Sequence, residues 1–391
     1  MLMPWIPSGI VGDKLYCERN PYYWKVDNKG QQLPYFDRFV FKSAKTGSEV
    51  AMGLISGELD GDYTKAVAQE AATVKRYEKT AGIRLLQWDF PKAWYGQGLR
   101  INLDTPKDGL RALFQNQKFT QALALGLDTD GMGVKTCAVC PAWKSPFSPM
   151  FFYYNEYKDK YVAKFDRAAA MKIFDELGLK DTNGDGYREY PAGGPQAGEA
   201  IGWLMPTPAH DWMRVRWGED ATEQFNQMGF KVTFSPMDEQ VAENTLVTPG
   251  LYEMYSTGPG LLGGAYTKAE DLQKYTGAGL LPQKEGDHNP LLPRTKDTKL
   301  FDWQIEGQKI LADFKAKPQD KAARDKLVDW HVTSIARFRF AYGGVAMVVA
   351  INERIGNFPP SYNATMAKNG ILQLSWDYYQ VMRAWQWYRK A

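Results

Sequence analysis

The sequence predicts an α/β protein of two lobes, with mixed sheets flanked by helices. Three observations predict it. The chain has 391 residues, more than one ordinary hydrophobic core organises. Ile201–Met205 and Lys231–Phe234 read as strands with a helix, Asp211–Met228, between them. Such a unit favours a mixed or parallel sheet with helices on its faces. Elsewhere short extended runs are interleaved with amphipathic helices.

Taken in order, Leu15 and Cys17 alternate with polar residues before Asn20-Pro21, and Phe39-Val40-Phe41 forms the next extended run. Val50, Leu54 and Ile55 give a helix near Glu49–Ser56 its buried stripe, and Gly57 stops it. Ile83–Trp88 is extended. Trp94–Asp104 reads as a strand entered through flexible glycines and suits a crossing between lobes. Phe119, Ala122, Leu123 and Leu127 share one helical face, which Asp128–Gly133 should end. A loop rich in proline, serine and aromatics follows from Cys140 to Tyr157. Asp166 caps a helix with Ala170, Ile173, Phe174 and Leu177 inside and Gly178 at its end. Two further helices fit Phe301–Phe314 and Lys321–Phe338. A buried strand fits Val345–Ile351, before the aromatic-dense Trp376–Tyr388.

Composition narrows the function. Hydrophobic residues make up 44% and charged residues 24%, the range of a soluble globular protein. Aromatics reach 14%, with 13 Trp and 22 Tyr, and aromatics beyond core needs line clefts that grip small molecules. A net charge of +3 and scattered basic residues point away from nucleic acid. No apolar run approaches a membrane span. The first ten residues lack a basic region followed by an apolar stretch, so no signal peptide is expected in this chain.

Cys137 and Cys140 form C-x-x-C, with Cys17 far away. A zinc site needs two more ligands, and none is near; a local disulfide and two free thiols both fit. Asp181, Asn183 and Asp185 supply the D-x-N-x-D-G start of a calcium loop, with Glu189 ninth and Ala192 where the twelfth-position acid belongs. The competing reading is an Asx turn after a helix. No other cofactor is expected. No G-x-S-x-G elbow, H-E-x-x-H or phosphate loop occurs. His210 with Asp211 reads as a helix cap, so catalytic residues are not expected; a hydrolase is the alternative reading.

Glu18-Arg19-Asn20-Pro21-Tyr22-Tyr23-Trp24, Pro34-Tyr35-Phe36-Asp37-Arg38-Phe39-Val40-Phe41 and Ser56-Gly57-Glu58-Leu59-Asp60 stand in an order and spacing that resemble the family 5 extracellular solute-binding proteins of ABC transporters. Ile101-Asn102-Leu103, Lys118–Leu123 with Leu127-Asp128, Asp185-Gly186 with Arg188, and Gln386-Trp387-Tyr388 resemble later family stretches. The resemblance implies a periplasmic-binding-protein-like fold of class II type. It implies residues 1–95 as part of lobe one, 96–345 as the ligand-binding lobe two, and 346–391 as a return segment packing on lobe one. Family members carry R-N-P-x-Y-W well inside the chain, so an N-terminally truncated lobe one is expected here, with self-association through uncovered apolar surface.

The function implied is capture of an oligosaccharide or oligopeptide-like solute by hinge closure, for delivery to an ABC permease in the membrane. The place implied is periplasmic or extracellular, with membrane association through the transporter. Peptide-binding relatives use an aspartate after the mid-lobe strand; residues 255–264 contain no acid, so a neutral polar solute fits at least as well. Sugar rings stack on aromatic faces while amides and hydroxyls bond their edges. The ligand-binding candidates are Trp94, Tyr95 and Asn102 at the crossover, then Trp143, Tyr255, Ser256 and Thr257. Ordinary packing is the competing role for each aromatic.

Overall fold

The computed structural model describes residues 3–62, 65–88, 96–137, 154–157, 159–160, 164–257, 301–336, 339–344, 347–358 and 386–390. Trp94, Tyr95, Cys140 and Trp143 lie outside them. The chain divides into two units: residues 1–90, 137–141 and 346–391, and residues 91–136 and 142–345.

In the first unit, Trp5–Val11, Lys14–Arg19 and Arg38–Lys42 form an antiparallel sheet in that order, with Cys17 opposite Phe39. The alternation around Cys17 turns its thiol inward, where it is buried and free. The Arg19-Asn20-Pro21 turn is closed by its own side chains. Arg19 donates to Gln32 O at 2.8 Å, Asn20 Nδ2 donates to Met3 O at 2.8 Å, and Asn20 Oδ1 accepts from Tyr22 N at 3.0 Å. The helix Gly47–Ile55 starts at Thr46, whose hydroxyl accepts from Glu49 N, while Glu49 returns a bond to Lys45 N. A second antiparallel sheet places Met347–Asn352 between Gly61–Asp62 and Ile83–Trp88. Central position in a sheet explains its apolar run. Trp387 packs on Phe39 and Phe358.

The second unit is built on the parallel pair Gly202–Pro208 and Lys231–Met237, joined through the helix Trp212–Gln227. Gly229 turns the chain out of that helix at φ +86°. An antiparallel sheet sets Gly96–Ile101 between Arg339–Gly344 and Met254–Thr257. Leu99 and Ile101 enter a core with Phe114, Phe119, Phe174, Trp203, Phe225 and Phe230. The helices Asp302–Ala316 and Lys321–Ile335 pack together where Trp330 Nε1 donates to Trp303 O at 2.8 Å.

Some expectations are corrected. The helix carrying Phe119, Ala122 and Leu123 ends at Gly126, before Asp128–Gly133, and that stretch opens a second helix, Thr129–Thr136. Asp128 Oδ1 accepts from Gly131 N at 2.9 Å and so starts the new helix. The strand Trp5–Val11 and the helices Lys65–Gln69, Ala71–Ala81 and Asp108–Gln115 were not anticipated. Among the described residues, no helix is long and apolar enough to cross a membrane.

Candidate functional site

The described binding candidates meet at the paired strands Gly96–Ile101 and Met254–Thr257. Gly98 faces Thr257, Leu99 faces Ser256, and Arg100 faces Tyr255 across the ladder. Gly96 and Gly98 put no side chain on the strand ahead of buried Leu99 and Ile101. Trp94, Tyr95 and Trp143 lie outside the described residues, and of Thr257 the backbone alone is described.

Asn102 ends the first of these strands and is 0% exposed. Its Nδ2 donates to Gly250 O and Tyr252 O, both at 2.9 Å, and its Oδ1 accepts from Asp104 N at 3.0 Å. Its own N–H donates to Glu253 O at 2.9 Å. One side chain thus fixes the approach of residues 250–253 to their strand. Glu253 is fixed in turn by Lys107 at 2.6 Å and by Leu204 N at 2.5 Å. Ser256 is also fully buried, and its hydroxyl donates to Arg214 O at 3.1 Å. Both polar candidates are therefore bonded to backbone.

Tyr255 is placed differently. Its ring stands edge-on to Tyr252, with centroids 6.3 Å apart. The Arg100 guanidinium lies over both rings, at 4.9 Å from Tyr252 and 5.7 Å from Tyr255. The Tyr255 hydroxyl and Arg100 Nε are buried without a hydrogen-bond partner among the described residues. Burial, with Glu243 nearby, pushes the Tyr255 phenol up to about 12 despite the opposing pull of Arg214 and Arg100. Arg100 and Tyr252 join this cluster and are not among the candidates the sequence offers. A lone arginine between Leu99 and Ile101 was the available signal.

The residues weighed for catalysis are disposed as structure. Asp211 caps the helix Trp212–Gln227 by accepting from Arg214 N, and its carboxylate pairs with Arg214 Nε at 3.2 Å. His210 is exposed and faces Glu239 at 3.6 Å. Neither sets a nucleophile against a base. Cys137 is disulfide-bonded.

The turn at Asp181 has the Asx geometry expected of its sequence. Asp181 accepts from Gly184 N at 2.7 Å and Gly186 N at 2.9 Å, Asn183 from Asp185 N at 2.8 Å, and Asp185 from Tyr187 N at 2.9 Å. A carboxylate oxygen from each of Asp181, Asp185 and Glu189 lies within 4.8 Å of the other two.

Residues 5–270 match the family described as bacterial extracellular solute-binding proteins, family 5 Middle. The chain belongs to that family. The chain is 25% identical over 252 residues to the periplasmic alpha-galactoside-binding protein of Rhizobium meliloti (strain 1021), a match covering 60% of this chain and 35% of that protein. This family 5 chain also shares its fold with the periplasmic binding protein MelB of Agrobacterium fabrum C58, solved in complex with stachyose. The TM-score there is 0.66, with 20% identity over 100% of this chain and 57% of that one. A mannohexaose-bound periplasmic oligopeptide-binding protein of an oligopeptide ABC transporter from Thermotoga maritima gives a TM-score of 0.63, with 17% identity over 99% of this chain and 67% of that one. The chain thus spans about a third of the curated relative and under two thirds of MelB.

Proposed function

We propose that this chain captures an oligosaccharide for an ABC importer, in a periplasmic or extracellular setting, and hands it to a membrane permease. The observation that carries the choice of solute is the alpha-galactoside-binding relative, matched at 25% identity over 252 residues. The acid-free stretch 255–264 supports it, since a free-amine peptide would want a carboxylate there. In this reading Trp94, Tyr95 and Trp143 stack on sugar rings, and Arg100 and the Tyr255 hydroxyl bond their edges. Asn102 and Ser256 keep the two strands in register. Exposed Ile10, Val11, Tyr22 and Trp24 support self-association as part of the same reading, and a sedimentation profile that stays monomeric at all concentrations overturns that part.

The test is calorimetric titration of the full chain with stachyose, mannohexaose and a free-amine nonapeptide. Saturable binding of an oligosaccharide is expected, weakened about tenfold or more by Trp94→Ala or Trp143→Ala. Saturable peptide binding without sugar binding overturns the choice of solute. A folded chain that binds neither overturns the reading as a receptor.

A further inference from the structure

We propose that the segment Asp181–Glu189 binds a calcium ion. Asp181, Asn183 and Asp185 occupy the first, third and fifth positions of an oxygen-donor loop, and Gly186 supplies the tight sixth position at φ +89°. The Tyr187 carbonyl falls at the seventh. Ala192 leaves the twelfth position without the usual bidentate acid, and the ninth residue, Glu189, takes its place.

Glu189 is 3% exposed. Its Oε2 accepts from Thr182 N at 2.7 Å and from Thr182 Oγ1 at 2.9 Å. Its Oε1 is buried without a hydrogen-bond partner. The same carboxylate stands within 4.8 Å of those of Asp181 and Asp185. Oxygens on opposite sides of one calcium ion lie up to about 5 Å apart, so this span suits a single ion. A buried carboxylate with one unbonded oxygen, close to two more carboxylates, is unfavourable unless a cation joins them.

The arginine beside Glu189 is committed elsewhere. Arg188 pairs with Asp175 at 2.7 Å and bonds Leu179 O and Met228 O. Lys231 Nζ sits 5.7 Å from the centroid of the Tyr187 ring. The backbone at Glu189 is held in place, because Glu189 N donates to Lys180 O at 3.0 Å and Ile201 N to Arg188 O at 2.7 Å. Oxygen donors without nitrogen or sulfur select a hard cation. An irregular set spread over nine residues suits calcium better than magnesium, which demands a tighter octahedron.

The test is calorimetric titration of the chelator-treated full chain with calcium chloride, repeated with magnesium chloride. It is made without solute, so its outcome is separate from the receptor reading. One calcium ion per chain is expected, with a midpoint between about 1 μM and 1 mM, a raised melting temperature and a weaker response to magnesium. Glu189→Gln retains an oxygen to accept from Thr182, and Asp185→Asn retains one to accept from Tyr187 N. Each is expected to raise the midpoint about tenfold or more. Absence of saturable binding below about 10 mM overturns the proposal, as does equal or tighter magnesium binding. A midpoint unmoved in a folded variant also overturns it. If Glu189→Gln fails to fold, the exposed Asp185→Asn decides alone.

Discussion

Replacing Asn102 separates a residue that holds the frame from one that touches solute. The fully buried side chain makes bonds of 2.9, 2.9 and 3.0 Å to Gly250 O, Tyr252 O and Asp104 N. Asn102→Ala takes these partners away from two carbonyls and one N–H. Three lost hydrogen bonds at about 0.5–1.5 kcal/mol each lower the expected unfolding free energy by roughly 1.5–4.5 kcal/mol. Asn102→Asp keeps the bond from Asp104 N but turns an anionic oxygen toward two carbonyls. Burial and those carbonyls raise its folded pKa above the unfolded value of about 3.9. The neutral acid is then the form the fold tolerates. The variant's stability is retained below that unfolded value and lost as pH rises through the folded one. Urea unfolding by tryptophan fluorescence, at about pH 7 and about pH 4, should show the Asp deficit shrinking in acid and the Ala deficit unchanged. Oligosaccharide affinity is read in parallel. Should Asn102→Ala stay within about 1 kcal/mol of the parent while affinity falls more than about tenfold, the side chain serves solute and the frame assignment fails.

Four other substitutions have worked signs. A Cβ on Gly307 would lie 2.0 Å from Trp330 Cζ2, and Trp330 is pinned by its bond to Trp303 O. Helix propensity favours Gly307→Ala by about 1 kcal/mol, but overpacking of about 1–3 kcal/mol or more outweighs it; a variant more stable in urea refutes this. Arg188→Met removes bonds to two buried carbonyls at a cost of about 2–4 kcal/mol. Asp175→Asn, at its half-exposed partner, should cost under about 1 kcal/mol, and equal losses in urea would contradict the assignment. The Tyr255 phenol is pushed up to about 12, above an unfolded value near 10. Its contribution is fully present below about pH 10 and lost as pH rises toward 12. Tyr255→Phe should therefore gain stability relative to the parent between about pH 8 and pH 11, and a constant difference in melting temperature refutes the burial argument.

What could be read from the sequence was what local periodicity carries. Ile83–Trp88 and the strands and helix of residues 201–237 stood out because Ile83 with Leu85, and Trp203 with Met205, are buried at alternate strand positions and because Gly229 marks the helix end. The strand Trp5–Val11 was hidden by Pro7-Ser8-Gly9, where the pairing with Lys14–Arg19 shifts register. The helix Ala71–Ala81 buries little beyond Ala71 and Val74, so its apolar stripe is too thin to see. Gly109 disguised the helix Asp108–Gln115. A Cβ there would meet Gln196 Oε1 at 2.4 Å, so the glycine answers to a residue far along the chain. Asn102 was visible as a polar residue at a strand end. Its partners at 250 and 252 were not, because nothing local links them to it.

Arg188 and Glu189 show the same limit at the proposed calcium site. Read as neighbours, an arginine and a glutamate suggest mutual neutralisation on a solvated face. Glu189 instead bridges to Ala200 in extended backbone, and successive side chains in extended backbone point to opposite sides. Arg188 is thereby sent inward, over the Phe174 ring at 5.4 Å and onto Met228 O. Glu189 is sent the other way, into the turn of Asp181 and Asp185. The alternation that buries both charges also keeps the arginine from neutralising the glutamate, leaving the carboxylate for an external cation. It ties the site to the core through backbone, so calcium should rigidify residues 180–201 as a block. Amide exchange at Glu189 and Ile201, whose N–H groups bond Lys180 O and Arg188 O, should slow together on adding calcium. Slowing confined to residues 181–187 would show that the turn closes on the ion without engaging the core.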